Sequence, residues 1–456
     1  MAISTANAWK ASGSGLSTVS RNWWPNFRQQ SPAGGVKLLT APRFGCPQVT
    51  RWVHIPTPST PWHLSRRSTP STLTSPTRLG SSSRSPSSSL FPSTSSFAPN
   101  VNNMANTPHS SDANEEIDDV KKASAEGFGS NEQIFPPSAA FVAKARVKGM
   151  DGYHALYNRS IQDPDGFWAD EAKELAWFQP WTKVVDESKK PFFRWFVDGK
   201  TNVAYNCLDA QVAKGLGDKV AIVYEGEPTA DGKAVEVRRI TYRQLLSEVS
   251  RFSNVLKGMG LKRGDTVAIY MPMVPELAMA VLACARLGIV HSVVFGGFSA
   301  ESIRDRVNDA KSKAVITMDG GYRRGKFLPL KQTVDEGVKD CPTCAHVLVL
   351  QRHPGKPDAG CVMQAGRDVW YHEAAAQVTD QCEAVQQEAN EMLFLLYTSG
   401  STGKPKGIMH SVGGYMVHAY STNKYVFDLR GDDLFWCTAD VGWVTGHTYV
   451  VYGPCS

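Results

Sequence analysis

Residues 397–407 read Tyr397-Thr398-Ser399-Gly400-Ser401-Thr402-Gly403-Lys404-Pro405-Lys406-Gly407, directly after the apolar run Met392–Leu396. An apolar run of this length is typical of a buried strand. In the loop that follows, glycines let the backbone turn sharply and bring its N–H groups close to an anion, while hydroxyls and lysines add donors and positive charge. The stretch therefore predicts a strand that ends in a loop for a polyphosphate.

The loop is not of the Walker A type, which requires G-x-x-x-x-G-K-[ST] before a helix. Here Gly400 and Gly403 are three positions apart, and Pro405 follows Lys404. This spacing disfavours a P-loop kinase, for which ADP rather than AMP would be a product.

Strand and helix patterns alternate upstream of the loop. Helices are predicted from Thr241 to Gly258 or Gly260, over Pro275–Leu287 and over Ser299–Ala310. The predicted strands are Val220–Tyr224, Val235–Ile240 (after a turn at Asp231-Gly232), Thr266–Tyr270, Ile289–Phe295, Ala314–Thr317, His346–Leu350 and Leu393–Tyr397. This order predicts an α/β fold with a mostly parallel, doubly wound sheet, and ligands beyond the carboxyl ends of its strands.

Charge is distributed unevenly along the chain of 456 residues. Residues 1–111 contain ten Lys and Arg and no Asp or Glu, which leaves 39 basic and 43 acidic residues for the rest. The leader is rich in Ser, Thr, Pro and Arg, a composition that predicts disorder and is typical of an organellar transit peptide. We expect a chloroplast or mitochondrial protein after removal of the leader, with a cytosolic form if translation also starts at Met104. Since the basic excess belongs to the leader, net charge gives no support for nucleic-acid binding.

Other classes of site and location are disfavoured by the sequence. No stretch of 18 apolar residues exists, so no membrane span is expected. Nine cysteines at irregular spacing do not form a disulfide framework and indicate a reducing compartment. The pair Cys341 and Cys344 lacks the second half of a zinc motif, so no protein-bound metal site is predicted.

Further motifs support a resemblance that covers residues from about Tyr153 to Pro454. The loop closely resembles the phosphate-loop signature of the AMP-forming (adenylate-forming) synthetase superfamily. The segments that resemble its acetyl-CoA synthetase family are Asn158–Ile161, Phe167-Trp168, Asn202–Asp209, Val293–Phe298, His410–Tyr415, Lys424–Phe427 and Trp436–His447.

The resemblance implies a two-step ligase that uses ATP, Mg²⁺ and coenzyme A. Acetate and ATP would give acetyl-AMP and pyrophosphate, and the coenzyme A thiolate would then displace AMP. The residues implied to bind the β- and γ-phosphates are Thr398, Ser399, Gly400, Ser401, Thr402, Gly403 and Lys404, with assistance from Lys406. Among these, Lys404 is also an implied catalytic residue.

Two other segments have implied roles in the same family. Arg323, Arg324, Gly325 and Lys326 resemble the segment that binds the phosphates of coenzyme A, although bacterial members usually have Arg where Lys326 stands. Trp443, Val444 and Thr445 resemble the wall of the acyl pocket. Thr445 also matches a coenzyme A contact and is the second implied catalytic residue, whereas His447 is expected to be structural.

Composition predicts a leader (1–111), and the resemblance implies an aromatic-rich helical cap of acetyl-CoA synthetase type (112–211) and an incomplete AMP-binding domain (212–456). Family members continue past the position of Pro454 into a mobile C-terminal lid, so we expect the lid domain to be absent and the chain truncated. Propionate or another short acid, and an inactive fragment that binds nucleotide or coenzyme A, remain alternatives. The expected partners are small molecules, and the sequence does not indicate an oligomeric state.

Overall fold

The chain is described here by a computed structural model that covers residues 136–227, 236–323, 325–353, 360–398 and 405–456, together with the backbone of residues 2–4. Its centre is a seven-stranded sheet. In spatial order the strands are Asp368–Trp370, His346–Leu350, Ala314–Met318, Thr266–Tyr270, Val290–Val293, Met392–Thr398 and Lys406–Ser411. All neighbours are parallel except the last pair, which is antiparallel. The predicted α/β class with a mostly parallel sheet is confirmed.

Smaller sheets surround the central one. Strand Val220–Glu225 pairs antiparallel with Val237–Thr241 and parallel with Ala2–Ser4. The predicted turn at Asp231-Gly232 between the first two lies outside the described residues. The other small sheets are Lys183–Asp186 with Arg194–Val197, Lys200–Thr201 with Gln387–Glu388, and Gly321–Arg323 with Lys326–Leu328.

Helices pack on the sheets and join their strands. The α-helices are Ala139–Lys144, Gly149–Gln162, Pro164–Lys173, Val203–Cys207, Asp209–Gln211, Tyr242–Gly258, Pro275–Leu287, Ala300–Asp309, Leu330–Val338, Tyr371–Ala375, Val412–Tyr425, Val444–Gly446 and Gly453–Cys455, and the π-helices are Val212–Leu216 and His447–Tyr452. None of the helices in the described part of the chain combines the length and the apolar character needed to span a bilayer.

Two of the helices show how local sequence sets their ends. Thr241 accepts a hydrogen bond from the backbone N–H of Gln244, whose side chain accepts one from the Thr241 N–H, so the helix starts with a complete capping box. The helix Pro275–Leu287 ends at Gly288, which adopts a left-handed conformation with φ of 69°. Twelve of the thirteen residues in Pro275–Leu287 are buried, which places this helix in the centre of the core.

The segment before the main sheet differs from the predicted helical cap. The helix Pro164–Lys173 is followed by the hairpin of Lys183–Asp186 and Arg194–Val197, and helices resume only at Val203–Cys207 and Asp209–Gln211. The hairpin strands contain valines and aromatic residues, which favour a pleated, half-buried surface. Phe196 is buried on this hairpin and packs against Trp177 and Trp181, so the aromatic residues of the segment build a mixed α/β layer.

Candidate functional site

The loop predicted to bind polyphosphate is the end of a β-hairpin. Thr398, the last residue of its strand, lies opposite Lys406 in the antiparallel ladder, and both residues are exposed. The ladder therefore brings the two ends of the loop together. The predicted binding residues Ser399, Gly400, Ser401, Thr402, Gly403 and Lys404 lie outside the described residues.

The base of this hairpin is fixed by Tyr397, which is buried. Its hydroxyl donates a hydrogen bond to Asp309 Oδ2 at 2.5 Å. The guanidinium of Arg306 lies 5.5 Å from the centre of its ring, within the range of a cation–π contact. Burial and the neighbouring Asp309 carboxylate raise the pKa of Tyr397, so the phenol remains a hydrogen-bond donor at neutral pH.

The other candidate segments follow the carboxyl ends of neighbouring parallel strands. Phe295–Phe298 comes after the strand Val290–Val293, and the hairpin that starts at Gly321 comes after Ala314–Met318. Because parallel strands place their carboxyl ends at one edge of a sheet, these segments and the loop after Thr398 share that edge.

The candidate coenzyme A segment forms a tight hairpin at this edge. Arg323 pairs with Lys326 across the turn, and the Arg323 guanidinium lies 4.4 Å from the centre of the Phe295 ring. Gly325 donates its N–H to Glu227 Oε1 at 3.0 Å. Lys326 is exposed, and Arg324 lies outside the described residues.

The candidate acyl wall starts a short helix. Trp443, Val444 and Thr445 are all exposed, and the Trp443 ring lies 6.0 Å from that of Phe295 and 6.4 Å from that of Phe298. The next residue, Gly446, packs against the backbone, since a Cβ there would lie 2.1 Å from the carbonyl oxygen of Asp440. The chain thus presents an apolar surface, Trp443 and Val444, to solvent directly beside a turn that admits no side chain.

A half-buried carboxyl group supports the turn before Trp443. Asp440 Oδ1 accepts a hydrogen bond from the Gly442 N–H at 2.7 Å. Burial raises the pKa of Asp440, and the Gly442 N–H and the positive charge of Arg323 partly oppose that rise. Arg323 therefore influences both the hairpin and the turn that leads to the candidate acyl wall.

Phe295 and Phe298 connect these segments. The sequence analysis did not predict this role for the two phenylalanines. Phe295 contacts Arg323 and Trp443, while Phe298 contacts Trp443 and Arg306, the residue under Tyr397. One short turn therefore supports the candidate coenzyme A hairpin, the candidate acyl wall and the base of the candidate phosphate loop. In the sequence, these two residues stand out only as part of Val293–Phe298, a segment that resembles the family and for which no role was predicted.

His447 is structural, as the sequence predicts. Its side chain is fully buried, stacks on Phe394 with ring centroids 4.4 Å apart, and places Nδ1 3.1 Å from the carbonyl oxygen of Trp443. Burial lowers the pKa of His447 to about 4. The imidazole is therefore neutral at physiological pH and turned away from solvent.

The cysteine pair singled out in the sequence forms a turn after the helix Leu330–Val338. The Cys344 N–H donates to the carbonyl oxygen of Cys341, and Cys341 Sγ lies 3.4 Å from the carbonyl oxygen of Gly337. Across the residues with described positions, no three His, Cys, Asp or Glu side chains are grouped as metal ligands would be.

Comparison with known families identifies the family of the chain. The model described as "AMP-binding enzyme" matches residues 208–456, more than half of the chain. The chain belongs to the AMP-binding enzyme family. The model described as "Acetyl-coenzyme A synthetase N-terminus" matches residues 153–207, the segment that contains the aromatic hairpin.

Curated relatives extend the match across both segments of this AMP-binding enzyme. The acetyl-coenzyme A synthetase of Deinococcus radiodurans is 50% identical over 325 residues, which cover 71% of this chain and 48% of that protein. The acetyl-coenzyme A synthetase of Rhodopirellula baltica is 49% identical over 353 residues, or 77% of this chain and 51% of the relative. Acetyl-coenzyme A synthetase 2 of Pseudomonas aeruginosa is 52% identical over 306 residues, or 67% and 46%. The chain thus spans about half the length of the curated relatives it matches.

Proposed function

We propose that this protein is an AMP-forming acetate–CoA ligase. In the first step a carboxylate oxygen of acetate attacks the α-phosphorus of ATP, and pyrophosphate leaves. In the second step the coenzyme A thiolate attacks the acyl carbon of acetyl-AMP, the acyl–phosphate bond breaks, and AMP leaves. The observation that carries the proposal is the shared sheet edge, which brings together the two ends of the candidate phosphate loop at Thr398 and Lys406, the hairpin that contains Arg323, and Phe295 with its contact to Trp443. The names of the curated relatives, whose sequences are 49% and 50% identical to this chain over the matched residues, support acetate as the acid.

Each segment at the edge has a proposed role. Thr398 and Lys406 hold the two ends of the loop. The loop residues between them, which include Lys404, stabilise the negative charge that develops on the departing pyrophosphate. Mg²⁺ is proposed as the counter-ion of the triphosphate. Fixed donors around an anionic transition state lower the barrier because they need no rearrangement during the reaction.

The hairpin with Arg323 binds coenzyme A for the second step, and the acyl wall binds the acid. Arg323, Arg324, Gly325 and Lys326 bind phosphates of coenzyme A, with Arg323 held by its contact with Phe295. Trp443 and Val444 line a pocket for a short acid, and Thr445 lies beside the reacting carboxyl group and the incoming thiol. Acetate is already ionised at neutral pH, so the first step requires no general base.

The test is formation of acetyl-AMP by the purified 456-residue chain. We expect acetyl-AMP, detected by mass spectrometry, from acetate and MgATP, and acetyl-CoA after addition of coenzyme A. Lys404→Ala or Gly403→Leu should slow formation of acetyl-AMP far more than thioester formation from supplied acetyl-AMP. Lys339→Ala, an exposed lysine remote from the sheet edge in sequence, is the matched control.

The other outcomes separate the alternatives. A higher kcat/KM for propionate than for acetate would assign the enzyme to the longer acid. Formation of ADP in place of AMP would overturn the adenylation chemistry. Binding of MgATP or coenzyme A without acetyl-AMP would identify a binding fragment, and binding of neither would overturn the proposal for this chain.

We also propose that residues 1–111 direct the protein to a chloroplast or mitochondrion, because they combine ten basic residues with no acidic one. A fluorescent protein fused behind these residues should accumulate in one of these organelles. Substitution of the basic residues by Gln should leave the fusion in the cytosol, as should translation from Met104. A diffuse signal for the unaltered fusion would contradict the proposal.

A further inference from the structure

Tyr397 lies at a position where it contacts both ends of the phosphate loop. It directly precedes Thr398, and in the antiparallel ladder it pairs with Gly407 on the returning strand. A Cβ at Gly407 would lie 3.2 Å from two carbons of the Tyr397 ring. Such a contact is tighter than ordinary packing, so a glycine at 407 lets the ring lie directly against the returning backbone. The orientation of this ring is therefore linked to the position of both loop stems.

A separate helix determines that orientation. The helix Ala300–Asp309 contributes Asp309, which accepts the Tyr397 hydroxyl at 2.5 Å, and Arg306, which stacks over the ring. Arg306 is itself buried, and its Nη1 donates to the carbonyl oxygen of Ser302 at 2.9 Å, so the guanidinium is anchored to its own helix. The two contacts hold the phenol from its edge and from its face.

The helix also connects the loop to the acyl wall. The Arg306 guanidinium lies 4.9 Å from the centre of the Phe298 ring as well as over Tyr397, and Phe298 contacts Trp443. Arg306 is thus the residue between the loop base and the turn under the acyl wall.

We propose that Asp309 and Arg306 are positioning residues, which hold Tyr397 and through it the two ends of the phosphate loop, Thr398 and Lys406, in place for the triphosphate before ATP binds. The inference rests on the proposed function, since it assigns ATP to this loop. Its physical basis is a population effect: if loss of the contacts leaves Tyr397 and the two loop ends in this arrangement for only part of the time, the apparent affinity falls by that fraction.

Double-mutant calorimetry tests the hydrogen bond. Tyr397→Phe removes the hydroxyl and keeps the ring, whereas Asp309→Ala removes the acceptor. Each should weaken MgATP binding about tenfold, the effect of losing one charge-assisted hydrogen bond. The double variant should bind no more weakly than either single variant, because both remove the same contact. Asp309→Asn, which retains an oxygen acceptor, should restore affinity to within about threefold of the unaltered chain.

A second readout distinguishes positioning from general stability. Coenzyme A affinity and the melting temperature of Asp309→Asn and Tyr397→Phe should stay close to those of the unaltered chain, as for the control Asp305→Asn. Asp305 lies on the same helix, and its side chain is exposed and pairs with the adjacent Arg304.

The outcomes assign failure to one claim or the other. If the unaltered chain binds MgATP and Tyr397→Phe and Asp309→Ala bind it equally well, the positioning inference is wrong and the proposed function stands. If both variants lose MgATP and coenzyme A together, or the double variant shows the sum of the two losses, the contacts of Asp309 and Arg306 with Tyr397 are merely structural and the inference is also wrong. If the unaltered chain binds no MgATP, the proposed function fails and the inference fails with it.

Discussion

Replacement of His447 by Phe should reduce the pH dependence of folding stability. The His447 ring is fully buried and stacks on Phe394, and burial lowers its pKa to about 4, against about 6.5 in an unfolded chain. Above pH 6.5 the imidazole is neutral in both states. Below that value only the unfolded chain binds the proton, so the free energy of unfolding falls as the pH decreases towards 4.

The size of the effect follows from this difference in pKa. One pKa unit corresponds to about 1.4 kcal/mol, so His447 should contribute a loss of about 2 kcal/mol between pH 7.5 and pH 5.0. His447→Phe preserves the stack on Phe394 and removes the titrating group. It costs about 1 kcal/mol at pH 7.5 through the lost Nδ1 hydrogen bond, while the Trp443 carbonyl still accepts the backbone N–H of residue 447.

Urea unfolding at the two pH values measures the contribution. The unaltered chain should lose about 2 kcal/mol more than His447→Phe on acidification. The pKa of His291, which stacks on His447, is also lowered by burial, so part of the dependence should remain in the variant. His372→Gln, at an exposed position, is the control and should match the unaltered chain. An equal loss in His447→Phe and in the unaltered chain would refute the reasoning.

Other substitutions test the turn, the hairpin and the helix start. Gly446→Ala places a Cβ against the Asp440 carbonyl and should lower the free energy of unfolding in urea by about 2 kcal/mol. Gly431→Ala, where a Cβ meets open space, is the control and should leave this free energy unchanged. Equal urea midpoints for the two variants would contradict the packing at residue 446. Arg323→Ala should weaken coenzyme A binding about tenfold in calorimetry without a change for MgATP, and an equal loss of both ligands would exclude a specific role. Thr241→Ala removes the capping hydrogen bond and should cost about 1 kcal/mol of unfolding free energy; an unchanged urea midpoint would show that the cap contributes nothing.

Much of the central fold could be predicted from local sequence. The strands Thr266–Tyr270 and His346–Leu350 and the helix Pro275–Leu287 agree with their predicted bounds to the residue. In each case apolar runs are bounded by Pro, Gly or polar residues, so the local pattern and the tertiary environment favour the same structure.

The strand Lys406–Ser411 was missed for a physical reason. It is the edge strand of the sheet, with Ile408 and Met409 both exposed, so it shows no alternation between a buried and a solvated face. Its conformation comes from antiparallel pairing with Met392–Thr398. Edge strands of this kind depend on their partner more than on their own side chains.

In the candidate site, too, local motifs could be predicted from the sequence, whereas contacts between distant segments could not. The loop at 398–407 was found because its glycines, hydroxyls and lysines suit an anion, whereas the motifs at 323–326 and 443–445 were found through the family resemblance. The contacts that join them were not found, since the hydrogen bond from Tyr397 to Asp309 spans 88 positions and those of Phe295 and Phe298 depend on how separate strands end. Aromatic residues in a short turn carry no local pattern that distinguishes a support from ordinary core.

The shared turn at Phe295–Phe298 has an evolutionary consequence. Because Phe295 contacts both Arg323 and Trp443, a mutation at Phe295 that enlarges the proposed acyl pocket would also shift Arg323, the residue proposed to bind coenzyme A. New acid preferences would arise more easily from changes at the exposed residues 443–445 than from the turn beneath them. Lineages that diverge in substrate should therefore vary residues 443–445 and retain the turn Phe295–Phe298.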